Sequence, residues 1–458
     1  MRARGQGVLT LILLGVIVLG AVGLDRLGTK SPAQARPGEA SSGAWFCPHG
    51  GGIDWHATLT LANPGDVDVV ARLTSLGEEG SKPGDTVTVP AGGEVRVEAP
   101  ASERGSSSYV EYFGGWIAAG WVTRGGGEGE IGIGAEPCAP AAGRSWFSAG
   151  VSTAQGEQGF LVVMNPFGAD AVFDVAIFAA GREPVRDSDL TDFSLRPGRS
   201  VAIKLNAYAE GESALGVEVQ TSTGRVAAAT TVVSSASGIT SVLASPATSD
   251  AAYMPVRKGT GQSVLSLTVP TERGSVAGGL LLTHKLPRPI GELTGTSLEP
   301  ASAAIFPVVS NVDASIDLSV QEGDQVIAAI RTSGLGNDDA ATAGAVEPTT
   351  AWVVTPTLAG EPAEPSLLIA NPGDVDAVVT LRLLPLDGGE PTEVTVRVPA
   401  ASLAEAPEDF LADAPDASVL VTSDGAPIVA LGSTTSLGTK GLSVFGSAMG
   451  VPIPPPNG

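Results

Sequence analysis

The residues best suited to metal chemistry lie close together near the start of the chain. Cys47, His49, Asp54 and His56 all fall in the stretch CPHGGGIDWH. Thiolate, imidazole and carboxylate groups are the usual protein ligands of zinc, but this spacing matches no standard zinc motif. The chain has one other cysteine, Cys138. In an oxidising compartment an isolated cysteine pair is most simply one disulfide. We therefore predict a Cys47–Cys138 disulfide and no metal site, with zinc as the alternative if both thiols are free.

Residues that could perform acid–base or nucleophilic catalysis are scarce. The chain has three histidines, His49, His56 and His284. A Ser-His-Asp site would need a serine elbow between a strand and a helix, and no G-x-S-x-G motif occurs in such a setting. The glycine-rich stretch GGGEGEIGIG (125–134) lacks the lysine of a phosphate loop and predicts a flexible hairpin. Glu408 and Asp409 form a carboxylate pair, but glycosidase chemistry depends on a spatial separation that a sequence does not give. We predict no catalytic residue and no cofactor.

The heptapeptide ANPGDVD occurs twice, at 62–68 and 370–376. Its core predicts a type II turn at a hairpin corner, with proline at the second turn position and glycine with positive φ at the third. The turn residues are Asn63, Pro64, Gly65 and Asp66, and Asn371, Pro372, Gly373 and Asp374. The alternative is calcium, with Asn63, Asp66, Asp68 and their counterparts Asn371, Asp374 and Asp376 as oxygen ligands. Two weaker copies, NPFGAD and VPTERG, lose the acidic spacing, which favours the turn.

Four sets of landmarks recur about every hundred residues, which is the signature of a tandem array. Each copy opens on an aromatic residue: Trp45, Trp146, Tyr253 and Trp352. A strand ending in proline follows: Pro64, Pro166, Pro270 and Pro372. A second proline comes next: Pro90, Pro197, Pro300 and Pro399. A strand of small apolar residues closes each copy, around Ile117, Val226, Ile327 and Ile428. We predict four repeats, at 44–141, 142–249, 250–345 and 346–458.

Within a copy the apolar residues alternate with a period of two, as strands with one buried face require. Val67, Val69, Ala71 and Leu73 show this pattern, and so does the run from Val375 to Leu383. Several short strands per copy, separated by turns, are typical of immunoglobulin-like or fibronectin-like sandwiches. The sequence thus predicts an all-β protein of four tandem β-sandwich repeats. Gly 60 and Pro 34 with 43% apolar residues fit this class.

The first residues have the form of an export signal. Basic residues in 1–7 precede an uncharged apolar run at 8–24, which predicts a transmembrane or signal-anchor helix with the body outside. Residues 25–43, rich in small residues and proline, predict a linker. Secretion after signal cleavage is the alternative, because Ala33-Gln-Ala35 has the small-x-small form of a cleavage site. We predict a single-pass protein of the cell membrane with an extracytoplasmic body.

The charge of the chain bears on its partners. With 26 basic and 49 acidic residues the net charge is −23, so a phosphate backbone would be repelled by most of the surface. Nucleic acid is therefore excluded as an expected partner. Anionic wall polymers would be repelled as well unless cations bridged them, which makes envelope or membrane proteins the expected partners.

Four features together resemble a known family. They are the Met-Arg leader, the aromatic openings of the repeats, the NPGD corners, and an excess of arginine over lysine. In these the chain resembles an actinobacterial family of envelope-exposed proteins of unknown function, with a membrane segment followed by a secreted all-β body. The resemblance spans nearly the whole chain and implies location and architecture. It brings no catalytic residues.

The expected function is therefore a non-enzymatic binding or scaffold module of the envelope. The alternative is a carbohydrate-binding or adhesive surface protein, and an envelope hydrolase is a lesser one. The densest aromatic patch outside the repeat openings contains Tyr109, Tyr112, Phe113, Trp116 and Trp121. Rings in such a patch could stack on sugars, although core packing explains most of them equally well.

Overall fold

The computed structural model describes residues 42–126, 131–258, 263–308, 312–334, 338–358, 363–386, 388–412, 414–437 and 443–453. The chain divides into two compact units, 1–35 and 36–458. The predicted leader, the apolar segment 8–24 and the linker up to residue 41 lie outside the described residues. No helix in the described ranges is long and apolar enough to cross a membrane.

The described residues form thirty-three strands, which confirms the all-β class. The first eight are β1 (Ser42–Cys47), β2 (Trp55–Ala62), β3 (Val69–Gly77), β4 (Gly80–Val89), β5 (Glu94–Ala99), β6 (Ser107–Phe113), β7 (Ala118–Gly125) and β8 (Gly132–Pro137). The next eight are β9 (Ser145–Val151), β10 (Glu157–Asn165), β11 (Ala171–Phe178), β12 (Phe193–Leu195), β13 (Arg199–Lys204), β14 (Leu215–Thr223), β15 (Ala227–Ser234) and β16 (Gly238–Leu243). Short 3-10 helices lie at Ser188–Leu190 and Leu205–Ala207.

The second half of the chain repeats this succession of strands. It contains β17 (Ala251–Val256), β18 (Ser263–Val269), β19 (Ser275–Leu282), β20 (Arg288–Leu298), β21 (Ser302–Val308), β22 (Ala314–Gly323), β23 (Ile327–Ser333) and β24 (Asp339–Ala343). The last strands are β25 (Ala351–Val354), β26 (Ala363–Asn371), β27 (Ala377–Leu384), β28 (Glu393–Val398), β29 (Ser402–Glu405), β30 (Ser418–Ser423), β31 (Val429–Leu437), β32 (Ser443–Met449) and β33 (Val451–Pro452). One short helix, α1 (Glu408–Ala412), lies between β29 and β30.

The strands form eight antiparallel sheets, two from each successive group. Sheet pair 1 has the orders β1-β6-β3-β4 and β5-β2-β7-β8, and sheet pair 2 has β12-β11-β14-β9 and β13-β10-β15-β16. Sheet pair 3 has β17-β22-β19-β20 and β21-β18-β23-β24, and sheet pair 4 has β28-β27-β30-β25-β33 and β29-β26-β31-β32. In immunoglobulin domains the seventh strand pairs with the sixth. Here β7 pairs with β2 instead, so the two-sheet architecture agrees with the predicted sandwich and the strand order differs from it.

The predicted alternation of buried and exposed residues begins two residues later than expected. Val69, Ala71 and Leu73 are buried, whereas Val67 at the corner is 45% exposed. In sheet pair 4, Val375 is likewise exposed, and the buried positions begin at Ala377. The corner residues precede the strand, so the inward face is set only where pairing with the next strand begins.

The aromatic residue that opens a copy is tied to the small apolar strand that closes it. The indole nitrogen of Trp45 donates to the Ile117 carbonyl at 2.9 Å. Two further indoles make the same bond within their own sheet pairs, Trp146 to Val226 at 2.7 Å and Trp352 to Ile428 at 2.8 Å. All three tryptophans are buried. A buried indole N–H needs an acceptor, which explains why these two sequence landmarks occur together.

Four strands that each end one sheet of their pair, β8, β16, β24 and β32, meet one another in a closed cycle. β8 contacts β16, β16 contacts β24, β24 contacts β32, and β32 contacts β8 again. The four sheet pairs therefore form a ring of contacts in which the fourth pair lies against the first.

One hydrogen bond recurs at all four junctions of this ring. The carbonyl of the residue just after the third strand of each pair accepts from the following pair. The bonds are Arg199 Nη1 to Glu78 O (2.7 Å), Ser302 Oγ to Ala179 O (3.3 Å), Ser402 Oγ to Thr283 O (3.0 Å) and Glu94 N to Pro385 O (3.0 Å). The last of these joins sheet pair 1 to sheet pair 4. The closing junction therefore uses the same acceptor position as the other three.

Candidate interaction surfaces

Two of the four residues of the zinc alternative, Cys47 and His49, are already engaged within sheet pair 1, whereas Asp54 and His56 are exposed. Cys47, at the end of β1, forms a disulfide with Cys138, just after β8. His49 is fully buried; its Nδ1 lies 2.7 Å from the Gly50 carbonyl and its Nε2 lies 3.0 Å from Ser108 Oγ. A carbonyl only accepts, so Nδ1 carries the proton and Nε2 accepts from the serine. Neither cysteine sulfur nor either His49 nitrogen is open to a metal ion. In the described ranges no cluster of histidine, cysteine and carboxylate side chains could hold one.

Burial sets the protonation state of His49. Desolvation lowers its pKa to about 4, although the hydrogen bond to Gly50 opposes this shift. The ring is therefore neutral at pH 7, which agrees with the acceptor role of Nε2.

The asparagine of the NPGD corner is the residue that holds it together. Asn63 is buried; its amide donates to the carbonyls of Val67 at 2.8 Å and Val89 at 3.2 Å, and its Oδ1 accepts from the Gly65 N–H at 3.0 Å. Asn371 makes the same bonds in sheet pair 4, and Asn165 makes them in sheet pair 2. In sheet pair 3 the corresponding residue is Val269.

The predicted turn type and hairpin are both wrong. Neither Gly65 nor Gly373 is among the residues with positive φ, so neither corner is a type II turn. Instead, the Asn63 side chain bonds the N–H two residues on, which is an Asx turn. The corner also does not close a hairpin, because β2 and β3 lie in different sheets. It carries the chain from one sheet of the pair to the other.

The acidic residues of the calcium alternative have separate roles. Asp68 Oδ1 accepts from the Ala91 N–H at 2.9 Å, and Asp376 Oδ1 accepts from the Ala400 N–H at 3.0 Å. Asp376 also pairs with Arg397, and these bonds, the Ala400 N–H first, lower the pKa of its carboxyl. The Asn63 oxygen is taken by Gly65. The oxygens of Asn63, Asp68 and Asp376 thus bond separate backbone N–H groups rather than converging on one point.

The aromatic patch is mostly core. Trp116 and Trp121 are 2% and 1% exposed, and the Trp116 ring meets Trp45 edge-on at 6.1 Å. Tyr112 is also buried, and Phe113 is 45% exposed. Neither tryptophan can stack on a sugar, so the patch gives no support to the carbohydrate-binding alternative.

The remaining candidates for catalysis stay apart. Glu408 and Asp409 lie in the first turn of α1, and His284 lies just after β19 in another sheet pair. β7 and β8 pair as a hairpin around the glycine-rich stretch, of which residues 127–130 lie outside the described part. One cavity of about 20 Å³ lies between sheet pairs 2 and 3, and one of about 30 Å³ lies inside sheet pair 4. Such volumes hold a single water.

An arginine lies at each junction of the ring, which the sequence reasoning did not identify. Arg104 lies over the rings of Trp55 and Phe160, between sheet pairs 1 and 2. Arg331 pairs with Glu157 across the next junction and Arg257 with Glu405 across the third. The sequence indicates these junction arginines only through its excess of arginine over lysine. A guanidinium suits buried ion pairs and aromatic stacking better than an ammonium group does.

The closing junction is rich in polar contacts. Arg96 pairs with Glu94 of its own strand at 2.7 Å and with Asp416 of sheet pair 4 at 2.6 Å. The Ser418 N–H donates to Glu94 Oε2 at 2.8 Å. Burial raises the pKa of Glu94, and Arg96 opposes that shift. Arg382 also donates across the junction, to the Pro64 carbonyl at 2.7 Å. This set ties the fourth sheet pair to the first.

A buried carboxyl lies where three sheet pairs meet. Glu136 of β8 hydrogen-bonds with the Thr342 hydroxyl and accepts from the backbone N–H groups of Ala343 and Leu243. Desolvation raises its pKa well above the usual range, and its Oε1 has no hydrogen-bond partner among the described residues. Glu136 thus links β8 to β16 and β24 from a buried position, where desolvation disfavours its charged form.

The exposed backbone of the protein lies at the outer edges of the sheets. The fourth strand of each pair, β4, β12, β20 or β28, ends its sheet. Side chains on one face of β28 are exposed, namely those of Glu393, Thr395 and Arg397, and Val394 and Val396 on the other face are half-buried. Edge strands carry unpaired N–H and C=O groups and can add a further strand. These edges are the candidate interaction surfaces.

The fold and these surfaces define an all-β protein built from paired antiparallel sheets. Residues 113–288, from the end of β6 to the start of β20, match the model of a family described as "Family of unknown function (DUF5719)". Over that range the chain is similar to an uncharacterised family. No curated protein matches. One solved structure, described as "Crystal structure of tetra-tandem repeat in extending region of large adhesion protein", is 11% identical, with a TM-score of 0.09, and the comparison covers 90% of this chain and 100% of that chain. A TM-score this low carries no argument about shared fold.

Proposed function

We propose that the protein is a non-enzymatic binding or scaffold module of the cell envelope. In this proposal residues 8–24 hold it at the membrane, residues 25–43 are a linker, and the body is a set of four homologous sandwich repeats at 44–141, 142–249, 250–345 and 346–458. The partners are envelope or membrane proteins. Secretion after cleavage of the leader is the alternative location.

The observation that supports this proposal is the use of one acceptor position at all four junctions. Of the side chains that looked chemically capable in the sequence, the two cysteines are engaged in the disulfide, and Asn63, Asp68, Asn371 and Asp376 bond backbone groups at the corners. A body of this kind holds its outer edges in fixed positions, as a scaffold requires.

Proximity labelling in living cells tests the proposal. A labelling enzyme is fused to the C-terminus of the full chain, and the matched control carries it on residues 1–43 alone. We expect a set of envelope proteins to be enriched with the full chain over the control. Identical neighbours for both fusions, together with turnover of an envelope substrate by the full chain, would contradict it.

A further inference from the structure

The outer edge of sheet pair 4 has an unbroken backbone ladder. β28 pairs with β27 from Ala377↔Val398 to Arg382↔Glu393 with no shift in register, and it is the last strand of its five-stranded sheet. The Leu383 N–H donates to the Thr392 carbonyl at 3.0 Å, so these two opposed residues are a hydrogen-bonded pair. Such pairs alternate along an antiparallel ladder. The backbone N–H and C=O groups of Glu393, Thr395 and Arg397 therefore point to the open side.

The corresponding edges of the other sheet pairs are guarded. β4 contains Lys82 and Pro83, and its register shifts between Arg72 and Thr74. β12 has three residues. β20 contains Pro289 and shifts register twice against β19. Charged side chains, lysine above all, proline, bulges and short length are the devices by which edge strands avoid pairing with another chain. β28 has no lysine, proline or bulge, and its two charged residues, Glu393 and Arg397, are of opposite sign.

The sequence of this edge, EVTVR, is complementary to itself. In an antiparallel pairing of two copies about a two-fold axis at Thr395, Glu393 of each copy lies opposite Arg397 of the other. Val394 lies opposite Val396, and Thr395 lies opposite its own counterpart. Opposite charges and threonines facing each other across strands are stabilising. All three residues whose backbone is open then form hydrogen-bonded pairs with the second copy.

The half-buried valines give a second reason for an added strand. Val394 and Val396 pack against the core of sheet pair 4 and remain partly exposed at its margin. A neighbouring strand would bury them further.

From these observations we propose that β28 is a self-association edge, at which two copies of this chain join their five-stranded sheets in antiparallel register through Glu393, Thr395 and Arg397. The net charge of −23 on each copy opposes association, but it is screened beyond roughly 8 Å at physiological salt. The ion pairs at the edge act at shorter range, with Arg397 shared between Glu393 of the second copy and Asp376 of its own chain. A contact of a few residues is below standard interface size, so the association is weak and depends on concentration.

A single introduced cysteine tests the register in the full chain. Both native cysteines are in the disulfide, so Thr395→Cys supplies the one free thiol. Opposed residues in a hydrogen-bonded pair have Cα atoms about 5.5 Å apart, which a disulfide spans. We expect a cross-linked dimer from Thr395→Cys in cells. Thr86→Cys is the matched control, because Thr86 is the exposed counterpart of Thr395 on the guarded strand β4, and it should give at least several-fold less dimer.

Charge exchange tests the pairing of Glu393 with Arg397. In the Thr395→Cys background, Glu393→Arg and Arg397→Glu each place like charges opposite one another and should reduce the dimer several-fold. Co-expression of the two variants restores opposite charges at both ends and should restore cross-linking between them. Protease resistance equal to that of the parent shows that each variant is folded.

Three results would overturn the inference. The first is absence of a dimer with Thr395→Cys. Cross-linking of this variant to a different protein counts as such a result, and it would assign the edge to an extended segment of that protein. The second is equal cross-linking by Thr86→Cys. The third is either single charge variant cross-linking as well as the parent, or co-expression failing to restore the dimer. None of these results bears on the envelope partners proposed above.

Discussion

At the scale of single residues, the corner asparagines show how one side chain can fix a change of direction. Asn63 closes an Asx turn on Gly65 and ties the corner to the carbonyls of Val67 and Val89. All of these bonds are made from a buried position, where an unpaired carbonyl costs about 1–3 kcal/mol. The repeated letters NPGD in the sequence therefore record a structural requirement of the corner.

Replacing this asparagine should destabilise the first sheet pair. We predict that Asn63→Val, the residue type found at the corresponding Val269, lowers the free energy of unfolding by about 2 kcal/mol, because the buried Val89 carbonyl, the partly buried Val67 carbonyl and the Gly65 N–H lose their partner. Urea unfolding measures the change. Asp66→Ala, an exposed change in the same corner, is the control and should stay within about 0.5 kcal/mol of the parent. Equal stability of Asn63→Val and the parent would contradict the role of the side chain.

The buried imidazole predicts a specific loss of stability in acid. The pKa of His49 is about 4 in the folded protein, below its usual value of 6.5. A group whose pKa is lower in the folded than in the unfolded protein favours folding at pH values above its unfolded pKa. It loses that contribution as the pH falls from 6.5 towards 4. The pKa shift of His49 corresponds to a change of about 3 kcal/mol in the free energy of unfolding.

His49→Gln should remove this part of the pH dependence. We predict that unfolding free energies measured between pH 7 and pH 4.5 fall less steeply for His49→Gln than for the parent. His56→Gln, at an exposed position, serves as the control and should follow the parent. Parallel curves for all three proteins would show that His49 does not titrate on unfolding.

At the scale of elements, the disulfide joins the first and last strands of sheet pair 1. It links residues 91 apart in sequence. In the chain-entropy model, closing a loop of that length stabilises the folded protein by roughly 4–5 kcal/mol. We predict that the double change Cys47→Ala and Cys138→Ala lowers the thermal midpoint and speeds amide exchange in β1 and β8. The strands of sheet pair 3 should keep their protection. Uniform loss of protection in all sheet pairs would contradict a local effect.

The sequence predicted the elements better than their connections. Strand positions follow from alternation, because burial of one face requires a period of two. The corner was wrong because Pro-Gly fits a type II turn locally, while the choice between hairpin and crossover depends on which sheet receives the next strand. Val67 at the corner shows the same limit, since its exposure depends on where pairing begins. The sandwich was predicted from the number of short strands in each copy. The pairing of β7 with β2 is a tertiary contact that no local sequence pattern encodes.

The junction residues were beyond local reasoning for a similar reason. Arg96 is 320 residues from Asp416 in sequence, and nothing near either residue indicates the other. Glu136 lies at the end of a strand among small residues, where a carboxylate normally faces water. Only the meeting of three sheet pairs buries it and raises its pKa.

At the scale of the whole body, the central claim is that the four sheet pairs close into a ring. The cycle of β8, β16, β24 and β32 and the bonds from Glu94 and Arg96 to sheet pair 4 support it. In a linear array sheet pairs 1 and 4 would lie apart, and Glu94 would be an exposed charge rather than a buried one. The ring also fixes where the outer edges, β28 among them, face.

Small-angle X-ray scattering of residues 36–458, the second compact unit, tests this claim most directly. A compact body of this length has a radius of gyration of about 22 Å. The closed ring predicts a value near that figure and a single-peaked distance distribution. A much larger radius with an elongated distance distribution would show that the sheet pairs form an open array, and would contradict the ring.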